Sequence, residues 1–196
     1  MKVVQVKCPK CSYPIKLKQR DRLFYCDNCG TIHVIRDDGV NIIDYDIADF
    51  NPAAGANRFY VPFWRLKCSF TIHHRSVSGG YVFKLSSWIK NEGGSGEIFV
   101  YIPASEFDSQ TFKRLATNFT TNPPGYRTRS DFDAATRVPA TMTREEAAEL
   151  ADFVIVTIEA EKPGVLQGLN YALSVNEYSL IYMPFIIDQS GMYPAL

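Results

Sequence analysis

Neither sign of charge dominates this sequence, since 21 Lys and Arg balance 21 Asp and Glu among its 196 residues. The overall basic surplus that marks many nucleic-acid binders is therefore missing. Long apolar runs are missing too. No stretch approaches the roughly 18–20 residues that a membrane helix needs, so no membrane span is expected. Residues 1–7 lack the apolar core of a secretory signal. Cysteine is scarce and odd in number, five in all, which suits a reducing compartment better than a secreted disulfide framework. A cytoplasmic location is the expectation. Catalytic signatures are equally thin. The run Gly93-Gly94-Ser95-Gly96 is not followed by the Lys-Ser/Thr and helix of a phosphate loop, and it reads as a hairpin turn. No Ser/His/Asp arrangement is legible.

What the sequence does have is apolar material, 46% of residues, enough for one sizeable core and a small appendage. It also has four of its cysteines in two pairs. Cys8-Pro9-Lys10-Cys11 and Cys26-Asp27-Asn28-Cys29 are C-x-x-C knuckles separated by 14 residues. Two intervening residues allow a tight turn to aim both sulfurs at one point, and two such turns supply four tetrahedral ligands. Gly30 follows the second knuckle, where a residue free to take positive φ helps the chain leave the turn; Ser12 holds the matching place after the first. Between the knuckles, Ile15 and Leu17 alternate with Lys16 and Lys18, a polar turn follows, and Leu23-Phe24-Tyr25 leads into the second knuckle. Residues 31–35 supply a third short strand. So small a sheet buries too little to fold alone, and metal binding is expected to provide the folding free energy.

Cys8-Pro9-Lys10-Cys11 and Cys26-Asp27-Asn28-Cys29-Gly30 on a β-hairpin resemble the zinc-ribbon family over residues 1–36, with a spacer one residue shorter than usual. The resemblance implies one structural Zn²⁺ held by Cys8, Cys11, Cys26 and Cys29, and a scaffold in place of an activity. Rubredoxin also uses two C-x-x-C knuckles, with iron, but they lie much farther apart in its chain. Four cysteines fill the coordination shell, so His33 reads as a strand residue and no position is open for catalytic chemistry. The chain as a whole loosely resembles uncharacterised bacterial proteins that join a zinc ribbon to a strand-rich domain.

Charge is uneven. Residues 1–36 carry eight Lys and Arg against two Asp, while the rest carries thirteen basic and nineteen acidic groups. Four thiolates with one Zn²⁺ subtract two charges, leaving about +4 on the ribbon. Residues 37–57 read as an acidic linker ending in Asn51-Pro52-Ala53-Ala54-Gly55-Ala56-Asn57, and residues 58–196 as an α+β domain. In 59–72, Trp64, Leu66, Cys68, Phe70 and Ile72 alternate with polar residues as one strand; 81–89 and 97–103 are two more, the last apolar on both faces and hence central. Asp108 caps a helix with the stripe Phe112, Leu115, Ala116 and Phe119. Thr143 and Glu146 form a capping box for a second helix, in which the β-branched run 153–158 leaves helix and strand both open. A hairpin around Asn176-Glu177 closes the chain. The fold class is thus α+β: a three-stranded ribbon, then a mostly antiparallel sheet with two helices.

Three Tyr-x-Pro elements, at Tyr60, Tyr101 and Tyr182, read either as an internal duplication or as coincidence, with each proline at a strand edge, end or bulge. Cys68 reads as a buried apolar residue and His73-His74 as a strand-end loop. The segment 120–142, long and without clear structure, carries Tyr126, Arg127, Arg129, Phe132 and Arg137, a basic-aromatic set suited to stacking on bases or anchoring in a protein groove. The function expected is that of a non-catalytic adaptor or assembly protein. Its partner-binding residues would be Lys16, Lys18, Arg20 and Arg22 at the ribbon tip together with Tyr126, Arg127 and Arg129. Nucleic-acid binding through the same two regions is the alternative, and an enzyme of unrecognised chemistry the third.

Overall fold

The computed structural model describes residues 6–15, 23–36, 39–51, 58–78, 94–160, 165–189 and 191–196, apart from the side chains of residues 36, 74–78 and 165–169. Its N-terminal sheet is antiparallel, built from β1 (Leu23–Tyr25), β2 (Ile32–Arg36) and β3 (Gly39–Ile43). The larger sheet contains β4 (Tyr45–Ala48), β5 (Arg58–Ser78), β6 (Ser95–Pro103), β7 (Thr128–Arg129), β8 (Thr136–Arg137), β9 (Val165–Asp188) and β10 (Gly191–Pro194). Two helices lie among the described residues, α1 (Ser109–Thr121) and α2 (Arg144–Ala160). The architecture is α+β, as the mixed periodicities predict. Residues 39–48, expected within an acidic linker, instead form β3 and β4, which join one sheet each.

The spine is β5 paired antiparallel with β9, from Arg58↔Ile186 to Ser78↔Val165. No hairpin forms at Asn176-Glu177. Lys67 faces Glu177 and Cys68 faces Val175, so Asn176 is the extra residue of a β-bulge. Its side-chain amide donates to Ser69 Oγ at 3.2 Å. The turn-forming residue therefore bends one long strand in place of reversing it. His73 is treated the same way. Ile72 faces Tyr171 and His74 faces Asn170, which leaves His73 as a second bulge inside β5, where a strand-end loop was expected. The strand expected at 81–89 lies outside the described residues.

Alternation along the spine sorts side chains to two faces. Trp64, Leu66, Cys68 and Phe70 of β5, Val100 and Ile102 of β6, and Leu180 and Tyr182 of β9 are buried under Ala147, Ala151, Val154 and Ile155 of α2. Val61 and Phe63, Tyr101, and Ile181, Met183 and Phe185 face the other way, onto Leu115 and Phe119 of α1. Both faces of β6 are apolar for this reason, although it is the end strand of the described sheet and not a central one. Asp108 Oδ1 caps α1 by accepting from the N–H groups of Gln110 and Thr111 at 3.1 and 2.9 Å. The capping box of α2 closes both ways, from Thr143 N to Glu146 Oε2 at 2.8 Å and from Glu146 N to Thr143 Oγ1 at 3.3 Å. The β-branched run stays helical through Ala160, because Val154, Ile155 and Ile158 fall on the side of α2 that meets the sheet.

Leu23, Ile32 and Val34 of the N-terminal sheet lie in the same core as the α2 face of the spine. The junction is aromatic and hydrogen-bonded. The hydroxyls of Tyr25 and Tyr182 bond each other, and Ala140 N donates to Tyr25 Oη at 3.0 Å. Tyr45 packs edge-on to Tyr182 and donates to Gly30 O at 3.4 Å.

Two of the Tyr-x-Pro elements face each other across the spine, with Tyr60 opposite Pro184, Val61 opposite Met183 and Pro62 opposite Tyr182. A local twofold relation results. Pro62 O accepts from Ala104 N and Tyr60 O from Val138 N, both at 2.8 Å, so residues 60 and 62 aim their polar groups away from β9 and Val61 aims its own toward it. On that outer edge β8 pairs with Phe59 and Tyr60, and β6 begins its pairing at Phe63. Pro62 sits in the gap between them. Pro184 likewise sits between β4, which ends its pairing at Tyr182, and β10, which begins at Phe185. The prolines thus mark where neighbouring strands stop and not where their own strand does; only Pro103 ends its own strand. Proline at 61 would remove a ladder donor within the spine. Val61→Pro is expected to destabilise the protein by about 3 kcal/mol or more, and Pro62→Ala by much less, in urea unfolding.

Candidate metal centre

The two knuckles have the same backbone design. Ser12 N donates to Cys8 O and Gly30 N to Cys26 O, each at 2.8 Å, while Cys8 N donates to Tyr13 O and Cys26 N to Thr31 O, each at 2.9 Å. Each chain leaves its turn through a positive φ, +59° at Ser12 and +69° at Gly30. A serine in the left-handed region costs about 1 kcal/mol relative to glycine, so the first knuckle is the more strained, as its sequence predicts.

The turns converge. Cys8 Sγ lies 3.7 Å from Cys29 Sγ and Cys11 Sγ lies 3.4 Å from Cys26 Sγ, and all four sulfurs fall within 4.8 Å of one another. Tetrahedral ligands about 2.3 Å from a central ion would stand about 3.8 Å apart, so the four thiols are close enough to share a single metal ion. Cys8 and Cys26 are buried beside Ile15 and Phe24, whereas Cys11 and Cys29 are half-exposed. The four side chains close the shell, which leaves no coordination position for a substrate.

The thiols are not equivalent. The Thr31 hydroxyl, 3.1 Å from Cys29 Sγ, is the main cause holding that thiol down at about 6. The Asn28 side chain does the same for Cys11, to a lesser degree. Burial pushes Cys26 up to about 11. Cys29 is thus the more readily ionised thiol, and a bound metal would have to displace the proton of Cys26. Thr31 has no counterpart on the first knuckle, where Tyr13 occupies the matching place, and nothing in the C-x-x-C spacing points to it.

The remaining candidates fall as follows. Lys16, Lys18, Arg20 and Arg22 lie outside the described residues. The long segment 120–142 is not structureless: β7 pairs with β4 and β8 with β5. Its basic and aromatic side chains tie it to the sheet. Tyr126 Oη accepts from Arg65 at 3.1 Å, and Arg129 reaches Asp131 at 3.2 Å and Asp49 at 4.0 Å beside the Phe50 ring. Arg137 stacks over Tyr25 and Phe132. Arg127 is exposed. Cys68 is fully buried, and its thiol is pushed up to about 12 by desolvation, which makes it a packing residue. His33 is a fully buried residue of β2, its ring tilted against that of Phe24, and is not among the clustered ligands. No described helix is long and apolar enough to cross a membrane.

Comparison with protein-family models, curated proteins and solved structures returns no match. The geometry of the four cysteines is consistent with a zinc-ribbon-like module on its own account.

Metal binding requires thiolates, so protons compete with the ion and affinity falls as pH falls. Thr31→Ala removes the hydroxyl that contributes most to keeping Cys29 ionised, and leaves the backbone hydrogen bond of residue 31. The metal should then be released at a higher pH than in the unaltered protein, by up to about one unit, in an acid titration followed with a chromophoric chelator.

Proposed function

We propose that the four-cysteine module is a zinc ribbon and that the protein is a non-catalytic adaptor, cytoplasmic, which binds another protein. One observation carries the first half: four convergent thiols that complete a tetrahedral shell and leave nothing open for chemistry. Zinc suits such a set because it is redox-inert and accepts four thiolates. The ion acts as a structural element, since the sheet it fastens contributes Leu23, Ile32 and Val34 to the core beneath α2. Elemental analysis should give one zinc per chain. Because the core is shared, stripping the metal with a strong chelator should lower the melting temperature of the whole chain in one transition, and not melt a ribbon alone. Calorimetry of the loaded and stripped protein checks this.

The second half rests on charge. Residues 1–36 hold a surplus of six positive charges that surface ion pairing does not require for stability. Two of the three arginines of 126–137, Arg129 and Arg137, are engaged inside the molecule, which favours the 16–22 segment as the docking surface and a protein as its partner. Reversal of Arg20 and Arg22 to Glu should abolish association with a co-purified partner and leave zinc content and far-UV dichroism unchanged. Loss of association rate would support a protein partner. Uniform loss of affinity for unrelated oligonucleotides, with a shallower salt slope, would replace it with a nucleic acid.

A further inference from the structure

Between the start of α1 and the outer side of α2 runs a groove that takes no part in the metal centre. Its volume of about 640 Å³ lies within the range of known binding sites, and it is open to solvent and not enclosed. Phe107, Phe112, Met142, Leu150 and Phe153 form an apolar floor. The first four are half-buried, each packed partly against a core. Phe153 is different. It is 52% exposed, on a helix whose other side already carries Val154, Ile155 and Ile158 into the core. Folding gains little from an aromatic ring left in that position, whereas a ligand seated in the groove would cover it.

The rim has one sign. Glu106, Glu146 and Glu149 line the groove, and no Lys or Arg is among its described lining residues. Glu146 is fixed there by the capping box, whose Thr143 N and Oγ1 reach its Oε2 at 2.8 and 2.9 Å. Asp152 and Glu145 add to the acidity of α2, which has only Arg144 as a cation. Carboxylates around an apolar trough favour a ligand that is both cationic and apolar. A helix with one apolar stripe flanked by Lys or Arg meets both requirements along a trough between two helices. The basic 16–22 segment of a second copy meets only the charge requirement, since Leu17 is its one apolar residue.

We propose that this groove docks a basic amphipathic helix of a partner protein, with its apolar stripe on Phe112, Leu150 and Phe153 and its cations against Glu106, Glu146 and Glu149. The proposal rests on the adaptor reading but on residues separate from 16–22, so the two fail separately. The test titrates a fluorescein-labelled Leu/Lys amphipathic peptide into the full-length, metal-loaded protein, with a Leu/Glu peptide of the same pattern as control. Expected are saturable one-to-one binding that weakens with salt, and a loss of at least about tenfold in affinity for Phe153→Ser and for Glu106→Lys combined with Glu149→Lys. Arg20→Glu with Arg22→Glu should leave this binding unchanged. If Phe153→Ser proves poorly folded, Glu149→Lys at an exposed position gives the same reading. Absence of saturation at millimolar peptide, equal binding of the Leu/Glu peptide, or indifference to the groove variants would overturn the proposal. So would full displacement of the peptide by phenethylamine, which would make this a small-cation site, or a dimer by light scattering that Phe153→Ser dissolves, which would make it a self-interface. Any of these results would leave the test of Arg20 and Arg22 standing.

Discussion

Pairing of β5 with β9 over nearly their full lengths makes the remaining structure available, because it presents two buried faces at once. Each face needs a cover, and each receives one. α2 and the N-terminal sheet lie over one side, α1 over the other. The short strands then attach where an edge of the spine is open: β8 and β6 on the outer edge of β5, β4 and β10 on the outer edge of β9. Pro62 and Pro184 mark the gaps between these attachments. A residue without an N–H at a position facing away from the partner strand removes nothing from the ladder, and it offers no donor to a flanking strand. The same two residues thus preserve the spine and partition its edges.

The metal centre and this spine form one mechanical unit. Sulfur convergence holds β1 and β2 against the knuckles, and the opposite face of those strands supplies Leu23, Ile32 and Val34 to the core of the larger sheet. Tyr25 is the hinge of the arrangement, bonded through its hydroxyl to Tyr182 and to the backbone of Ala140, with the Arg137 guanidinium over its ring. Burial pushes that phenol up, so it remains neutral and keeps a proton to donate. A small sheet that would bury too little by itself shares the core of the larger sheet on one face, and on the other presents four thiols placed to hold an ion that would add to its stability.

Charge is divided unevenly along the chain. The basic excess lies in residues 1–36, whereas α2 and the groove beside it are acidic. The adaptor proposed above would use this division to meet partners of different charge at different places. Of the arginines that the sequence offers as outward anchors in 126–137, Arg129 is held by Asp49 and Asp131 and Arg137 lies over aromatic rings, while Arg127 stays exposed.

By itself the sequence determined the features governed by near neighbours. Two C-x-x-C spacings identified the four sulfurs that gather within 4.8 Å of one another, because each knuckle is a local turn that aims its own pair to one side. Asp108 and the Thr143–Glu146 box started their helices where predicted, since a cap involves residues at most three positions apart. The alternation from Trp64 to Phe70 gave the buried face of β5, because side-chain period is a property of a single strand. Tertiary structure alone decided what depends on a partner distant in sequence. Asn176 became a bulge and not a turn because Lys67 and Cys68, more than a hundred residues away, continued the ladder past it. Residues 39–48 became strands because edges at Ile32–Arg36 and Leu180–Tyr182 were open to receive them. The groove floored by Phe112 and Phe153 belongs to two helices that meet only in the folded chain, and no local pattern encodes a meeting of that kind.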